Sequence, residues 1–272
     1  MIRLLLVAVL TLLARPADAV TLEMNGAFTQ GGIIMGRTDP DVKLTLDGRP
    51  VRVSANGVFV LGFGRDAEPD AVLVAKGADG TEERKALKIA KRSYNIQRID
   101  GLPQKYVEPK PEVLARIRRE NAKIGKVRKI DTDRPYFAEG FIWPAKGRIS
   151  GVYGSQRVLN GVPKRPHFGV DVAGPVGSPV IAPAGGIVRL AEKDLYYTGG
   201  TVIIDHGHGL SSAFLHMQTV TAKVGGEVKR GAQIGTIGAT GRATGPHLDW
   251  RINWFDVRVD AAVLVPPLPP KN

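Results

Sequence analysis

Apolar and polar residues alternate with a period of two in several short runs early in the chain. Val42-Lys43-Leu44-Thr45-Leu46 is the first, and Asp47-Gly48 closes it as a turn. Val51-Arg52-Val53 alternates again ahead of Asn56-Gly57. Val58-Phe59-Val60-Leu61 and Ala71-Val72-Leu73-Val74-Ala75 follow, with Asp79-Gly80 as a further turn. Strands recurring about every ten residues, each with its own turn, predict a small β-sandwich over 20–97.

The pattern changes over 98–140. Pro109, Pro111 and Pro135 punctuate a charged stretch in which Val113, Leu114, Ile117 and Ile124 recur at roughly helical spacing. Pro111 suits the first turn of a helix, where a missing N–H costs nothing. This reads as a basic linker with one helix running to about Lys129, its charged face solvated rather than a nucleic-acid arm. From 141 to 262 the short apolar runs return: Val180-Ile181-Ala182, Gly186-Ile187-Val188, Val202-Ile203-Ile204, Ala213-Phe214-Leu215 and Ile234 to Ile237. Gly and Pro turns separate them, which predicts an antiparallel β domain rather than βαβ units. A Pro-rich tail occupies 263–272. The fold class expected is mainly β.

The first residues carry a different signal. Arg3 precedes the apolar run Leu4 to Leu13, and Ala17-Asp18-Ala19 supplies a small-x-small cleavage pattern. This reads as a secretory signal peptide over 1–19, cut after Ala19. The run is too short for a membrane span, which needs about 20 apolar residues. The expected location is exported, in the periplasm.

Composition narrows the chemistry. With Cys 0, thiolate metal sites and cysteine nucleophiles are out, so any metal must use His, Asp or Glu. The formal charge of +12 suits an anionic partner such as a wall polymer. Nucleic acid would suit the charge too, but no recognisable nucleic-acid motif accompanies it.

All His 5 follow residue 166. His167 and Asp171 are four apart, and His247 and Asp249 two apart; in extended chain each pair shares a face. Imidazole and carboxylate are ordinary zinc ligands. An ion pair of Asp249 with Arg251 is the alternative for the second group. His216 follows Phe214-Leu215 at an expected strand end. His206-Gly207-His208 is an H-x-H in a Gly-rich turn and reads as structural.

Taken in order, His167-x-x-x-Asp171, Gly177-Ser178-Pro179-Val180-x-Ala182-x-x-x-Gly186-x-Val188, Phe214-x-His216 and Gly241-x-x-x-Gly245-Pro246-His247-Leu248 resemble the lysostaphin/LytM-type zinc endopeptidases of peptidoglycan. The likeness spans about 141–261. The stretch from Gly36 to Phe59 more loosely resembles bacterial immunoglobulin-like modules. The first resemblance implies a LytM-type β core with a groove, one Zn²⁺ on His167 and Asp171, and catalytic roles for His216 and His247. Which histidine is the base stays open.

The family's third ligand is the second histidine of a terminal H-x-H, and here that position is Asp249. Carboxylate can ligate zinc at about 2.0–2.2 Å, so Asp249 completes a set of one His and two Asp. A second carboxylate neutralises the ion's formal charge and makes another divalent ion a candidate. Phe214 stands where the family often has tyrosine, which removes one hydroxyl donor. Two functions follow: a metal-dependent endopeptidase cutting amide bonds in peptidoglycan stem peptides or cross-links, or a non-catalytic scaffold that binds wall or activates another cell-wall enzyme.

Overall fold

A computed structural model describes residues 20–99 and 111–268. The signal-peptide reading, Pro109 and the last residues of the Pro-rich tail lie outside them.

Seven strands build the first part: β1 (Leu22–Gly26), β2 (Ile33–Thr38), β3 (Lys43–Leu46), β4 (Arg49–Val51), β5 (Val58–Gly62), β6 (Asp70–Lys76) and β7 (Glu82–Lys88). They form two antiparallel sheets, β1-β2-β5 and β4-β3-β6-β7. The alternation of β6 decides its packing: Ala71, Leu73 and Ala75 are buried while Val72 and Val74 are half-buried. Ile34 and Leu61 of one sheet share a core with Leu44, Leu73 and Leu87 of the other. β1, β2 and β7 lack the clean alternation that revealed the others; β7 is mostly charged and exposed.

A short strand β8 (Ile96–Ile99) leads to α1 (Pro111–Val127), which matches the helix expected from the sequence. The helix is docked rather than merely solvated. Ile124 and Val127 pack on a cluster of Leu190, Leu195, Ile203, Ala213 and Leu215. Glu120 accepts from the Tyr196 N–H at 2.9 Å, and Arg116 pairs with Asp194 at 3.0 Å.

The remaining strands are β9 (Arg148–Gly151), β10 (Gln156–Leu159), β11 (Val162–Pro163), β12 (Val170–Ala173), β13 (Pro179–Ile181), β14 (Gly186–Leu195) and β15 (Gly199–Gly207), followed by β16 (Leu210–Val220), β17 (Glu227–Val228), β18 (Gln233–Ile237), β19 (His247–Trp254) and β20 (Val257–Val259). The main sheet runs β17-β14-β15-β16-β19-β12-β9, antiparallel throughout. β8 instead adds to β10 in parallel.

The two faces of this sheet differ. Leu248, Trp250, Ile252 and Trp254 of β19 point into the main core with Phe214 and Val172. The residues between them, His247, Asp249, Arg251 and Asn253, point to the opposite face, because side chains alternate along a strand. Helix α1 packs on this second face, over β14 to β16. Among the described residues no helix is long and apolar enough to cross a membrane.

Candidate metal centre

The register of β12 against β19 sets Asp171 directly opposite Asp249. Opposed residues of antiparallel strands share a face, with Cβ atoms about 4.5–5.5 Å apart. Both carboxylates therefore stand on the polar face of the sheet. His167 precedes β12, and its backbone is pinned on both sides. Its N–H donates to the Ser155 carbonyl at 2.8 Å, and its carbonyl accepts from the Gly154 N–H at 2.8 Å.

The result is a cluster in which His167, Asp171 and Asp249 each offer one ligand atom, all within 4.8 Å of one another. His167 Nε2 and Asp171 Oδ1 stand 3.1 Å apart. Each of these two atoms is buried without a hydrogen-bond partner. A buried polar atom left without a partner costs about 1–3 kcal/mol, so two facing one another call for a third species. Burial alone would lower the His167 pKa, but Asp171 and Asp249 outweigh it and raise it above the ordinary value.

Asp249 is also the partner of Arg251, so the two sequence readings of this residue coexist. The Arg251 Nε donates to Oδ1 and Oδ2 at 3.0 Å each, and Nη2 donates to Oδ2 at 2.5 Å. Burial pushes the Asp249 carboxyl up, and Arg251 beside it overrides that and holds it below the usual range. A carboxylate offers about four lone-pair sites. Oδ1 receives only a share of one N–H, so it keeps a lone pair for a further ligand.

Two glycines make room for the carboxylates. A Cβ on Gly169 would lie 2.0 Å from Asp249 Oδ1, and one on Gly151 would lie 2.1 Å from Asp171 Oδ2. Sequence reasoning passed over both; Gly169 lies within the His167 to Asp171 motif, and Gly151 carries no local signal.

His216 reaches the site by a different route. In a regular strand it would share the core face of Phe214, because side chains two residues apart point the same way, and so would aim away from the polar face. Its φ is +63°, a left-handed conformation uncommon outside glycine, and the pairing of β16 is irregular around it. That kink turns the ring beside His247, with ring centroids 4.8 Å apart. β16 continues to Val220, so His216 sits at a bend inside the strand rather than at its end. His247 Nε2 lies 3.9 Å from Asp171 Oδ1.

Both rings are held by main-chain carbonyls. His216 Nδ1 bonds Thr240 O at 2.7 Å, and His247 Nδ1 bonds Gly245 O at 2.8 Å. A carbonyl only accepts, so each Nδ1 carries the hydrogen and each neutral ring presents an unprotonated Nε2. Burial lowers the His216 pKa, and the Thr240 carbonyl and Asp249 offset this only in part.

The other histidines are structural. His206 is fully buried, with Nδ1 2.6 Å from Gly185 O and Nε2 2.7 Å from Ser212 Oγ. His208 Nε2 donates to Asp133 O at 2.8 Å. Phe214 corrects one expectation. It is wholly buried on the core face opposite Trp250, so a tyrosine there would direct its hydroxyl away from the polar face.

On the polar face of the paired strands, a His/Asp cluster that can hold a metal thus stands beside two oriented imidazoles. Comparison with known proteins agrees: residues 165–261 match peptidase family M23, and this part of the chain is an M23 domain. The chain is 40% identical over 110 residues, 40% of its length, to the peptidoglycan DD-endopeptidase ShyA of Vibrio cholerae, of which it covers 25%. It is 31% identical over 127 residues, 47% of its length, to the cell division protein DipM of Caulobacter vibrioides, covering 20% of that protein. The chain thus spans a quarter or less of the length of these curated relatives. A crystal structure of a putative peptidase M23 from Pseudomonas aeruginosa is similar over 87% of this chain and 94% of that one, with 29% identity and a TM-score of 0.65.

Proposed function

We infer that this protein is an exported, metal-dependent endopeptidase that hydrolyses amide bonds in the peptides of peptidoglycan. The observation that carries this reading is the facing pair of partnerless buried atoms, His167 Nε2 and Asp171 Oδ1, with the Asp249 carboxylate beside them. Neutral imidazole and two carboxylates form an ordinary donor set for zinc, so His167, Asp171 and Asp249 would hold it. A zinc ion bound there polarises a carbonyl and acidifies water.

The residues around it divide the remaining work. His216, kept neutral by its burial, accepts a proton from water at Nε2. His247 points its Nε2 into the same space and, when protonated, donates to the oxygen of the scissile carbonyl. Such acid–base assistance contributes about 10²–10⁴-fold. The similarity to a peptidoglycan DD-endopeptidase supports the wall as substrate, and the +12 charge suits its free carboxylates. Cleavage after Ala19 would leave Val20, which packs in the core of the first part, as the mature N-terminus in the periplasm.

The test sets metal content of the purified chain beside its release of peptide from purified sacculi. One bound ion and cleavage that His216→Ala abolishes are expected. The grip of Arg251 on Asp249 favours a second reading, in which the domain binds wall or activates another wall hydrolase without cutting. A protein that holds no metal, cleaves nothing and still sediments with sacculi would establish that reading instead.

A further inference from the structure

Farther along the polar face of β19, beyond Arg251, lies a second group of donors that the peptidase reading does not use. Asn253 stands opposite Arg258 of β20, so the two share the face of Asp249 and Arg251. Asn253 is 2% exposed, and its Nδ2 is buried without a hydrogen-bond partner. The Nε of Arg258 is likewise buried and unpartnered. Two adjacent cross-strand donors are thus left over at one spot, in a fold whose buried polar atoms are otherwise mostly paired.

The surroundings are cationic. The guanidinium of Arg258 lies 4.5 Å from the centroid of the Phe168 ring, and that of Arg165 lies 5.7 Å from it. No carboxylate among the described residues forms a salt bridge with Arg165, Arg258 or Arg128, the residue that follows α1. Burial, with repulsion from Arg165 and Arg251, lowers Arg258 to about 10. Burial, with repulsion from Arg258, Arg251 and Arg165, lowers Arg128 to about 9. Arginines close enough to repel one another, with spare donors between them, are short of negative charge.

We propose that Asn253 Nδ2, Arg258 Nε and the flanking Arg165 form an anion subsite that binds a free carboxylate of the peptide engaged at the candidate metal centre. The ligand must bring acceptors and negative charge, because the two atoms left without partners are both donors and the neighbouring side chains are cationic. From Asp249 to Asn253 is four strand residues, about 13 Å at 3.3–3.4 Å per residue. An extended peptide covers that distance in about four residues, so the subsite reads a carboxylate several residues from the scissile bond. The choice of a wall peptide as its source rests on the function proposed above; the oxyanion chemistry does not.

The experiment is a titration of the full chain, followed through the side-chain nitrogen signals of Arg258 and Asn253 by NMR. The probes are D-alanyl-D-alanine, its C-terminal amide, and inorganic phosphate, each added alone. The free dipeptide should shift both signals saturably, and the amide should bind at least about tenfold more weakly, since a charge-assisted hydrogen bond is lost. Arg258→Gln and Asn253→Leu should each weaken the dipeptide at least about tenfold while the thermal midpoint stays within a few degrees of wild type. An equal response to the amide, or no saturable response to any probe, overturns the subsite, the donors then being filled by water. A response to phosphate alone overturns the peptide carboxylate as ligand. Failure of the peptidase reading would appear in sacculus digestion, which this titration does not require.

Discussion

Asp249 and Arg251 lie two residues apart on one face of β19, and the guanidinium grips both carboxylate oxygens. The carboxylate is 3% exposed and the arginine side chain 26%. Asp249 alone would add a negative charge where the resembling family carries a neutral imidazole. Arg251 supplies the opposite charge at hydrogen-bond distance, so the pair together is neutral. In the ligand set proposed above, the extra negative charge of Asp249 would thereby be offset by Arg251.

This coupling makes Asp249→His a poor single repair. The imidazole would leave a largely buried guanidinium without its carboxylate. Breaking a buried ion pair costs about 3–5 kcal/mol, and the exposure of Arg251 places this case toward the low end. Asp249→His with Arg251→Gln should recover most of that loss and bind one equivalent of metal. Urea denaturation and metal analysis of both variants check this; a single variant as stable as wild type would refute the coupling.

His167→Ala and Asp171→Ala should each release metal and keep the fold, because the apolar core lies on the other side of the sheet. His216→Ala should retain metal and lose about 10²–10⁴-fold in turnover. Metal stoichiometry measured alongside peptide release separates ligands from proton carriers. Metal retained in both ligand variants would displace the site.

Gly169→Ala tests the carboxylate geometry without removing a ligand. The new methyl would meet Asp249 Oδ1 at 2.0 Å, and Arg251 prevents the carboxylate from swinging aside. Metal affinity should fall at least about tenfold, a shift worth about 1.4 kcal/mol. Metal titration at unchanged circular dichroism is the readout.

His206 predicts the acid limb of stability. Burial lowers its pKa to about 4 in the folded protein, against an ordinary value of 6.5. Between these values the unfolded chain binds the extra proton. Stability is therefore full above about pH 6.5, declines as pH falls, and has lost about 3 kcal/mol from this group once pH passes below 4. Replacing His206 with Gln should flatten that limb relative to wild type in denaturation midpoints taken from pH 4 to pH 7.

Processing is checked at the N-terminus. Protein recovered from the cell envelope should begin at Val20, and an intact Met1 on that fraction would contradict export by cleavage.

Much of this protein is decided by local pattern. The alternation in Lys43–Leu46 and Asp70–Lys76 assigns their faces whatever they pair with, and the spacing from Pro111 onward sets the helix. His247-Leu248-Asp249 places its ends on one face because a strand has period two. Other features depend on contacts distant in sequence. Asp171 meets Asp249 only through the register of β12 on β19. His216 enters the site only because a left-handed φ at a bulge overrides its parity, and nothing in Phe214-Leu215-His216 announces that bend. The unpartnered donors of Asn253 and Arg258 arise where two strands cross-pair, and whether a donor finds an acceptor is settled by every neighbour at once. Local sequence determines which face a side chain takes in a regular strand; tertiary structure decides where that parity is broken and which faces meet, because register, bulges and charge pairing are properties of contacts between segments.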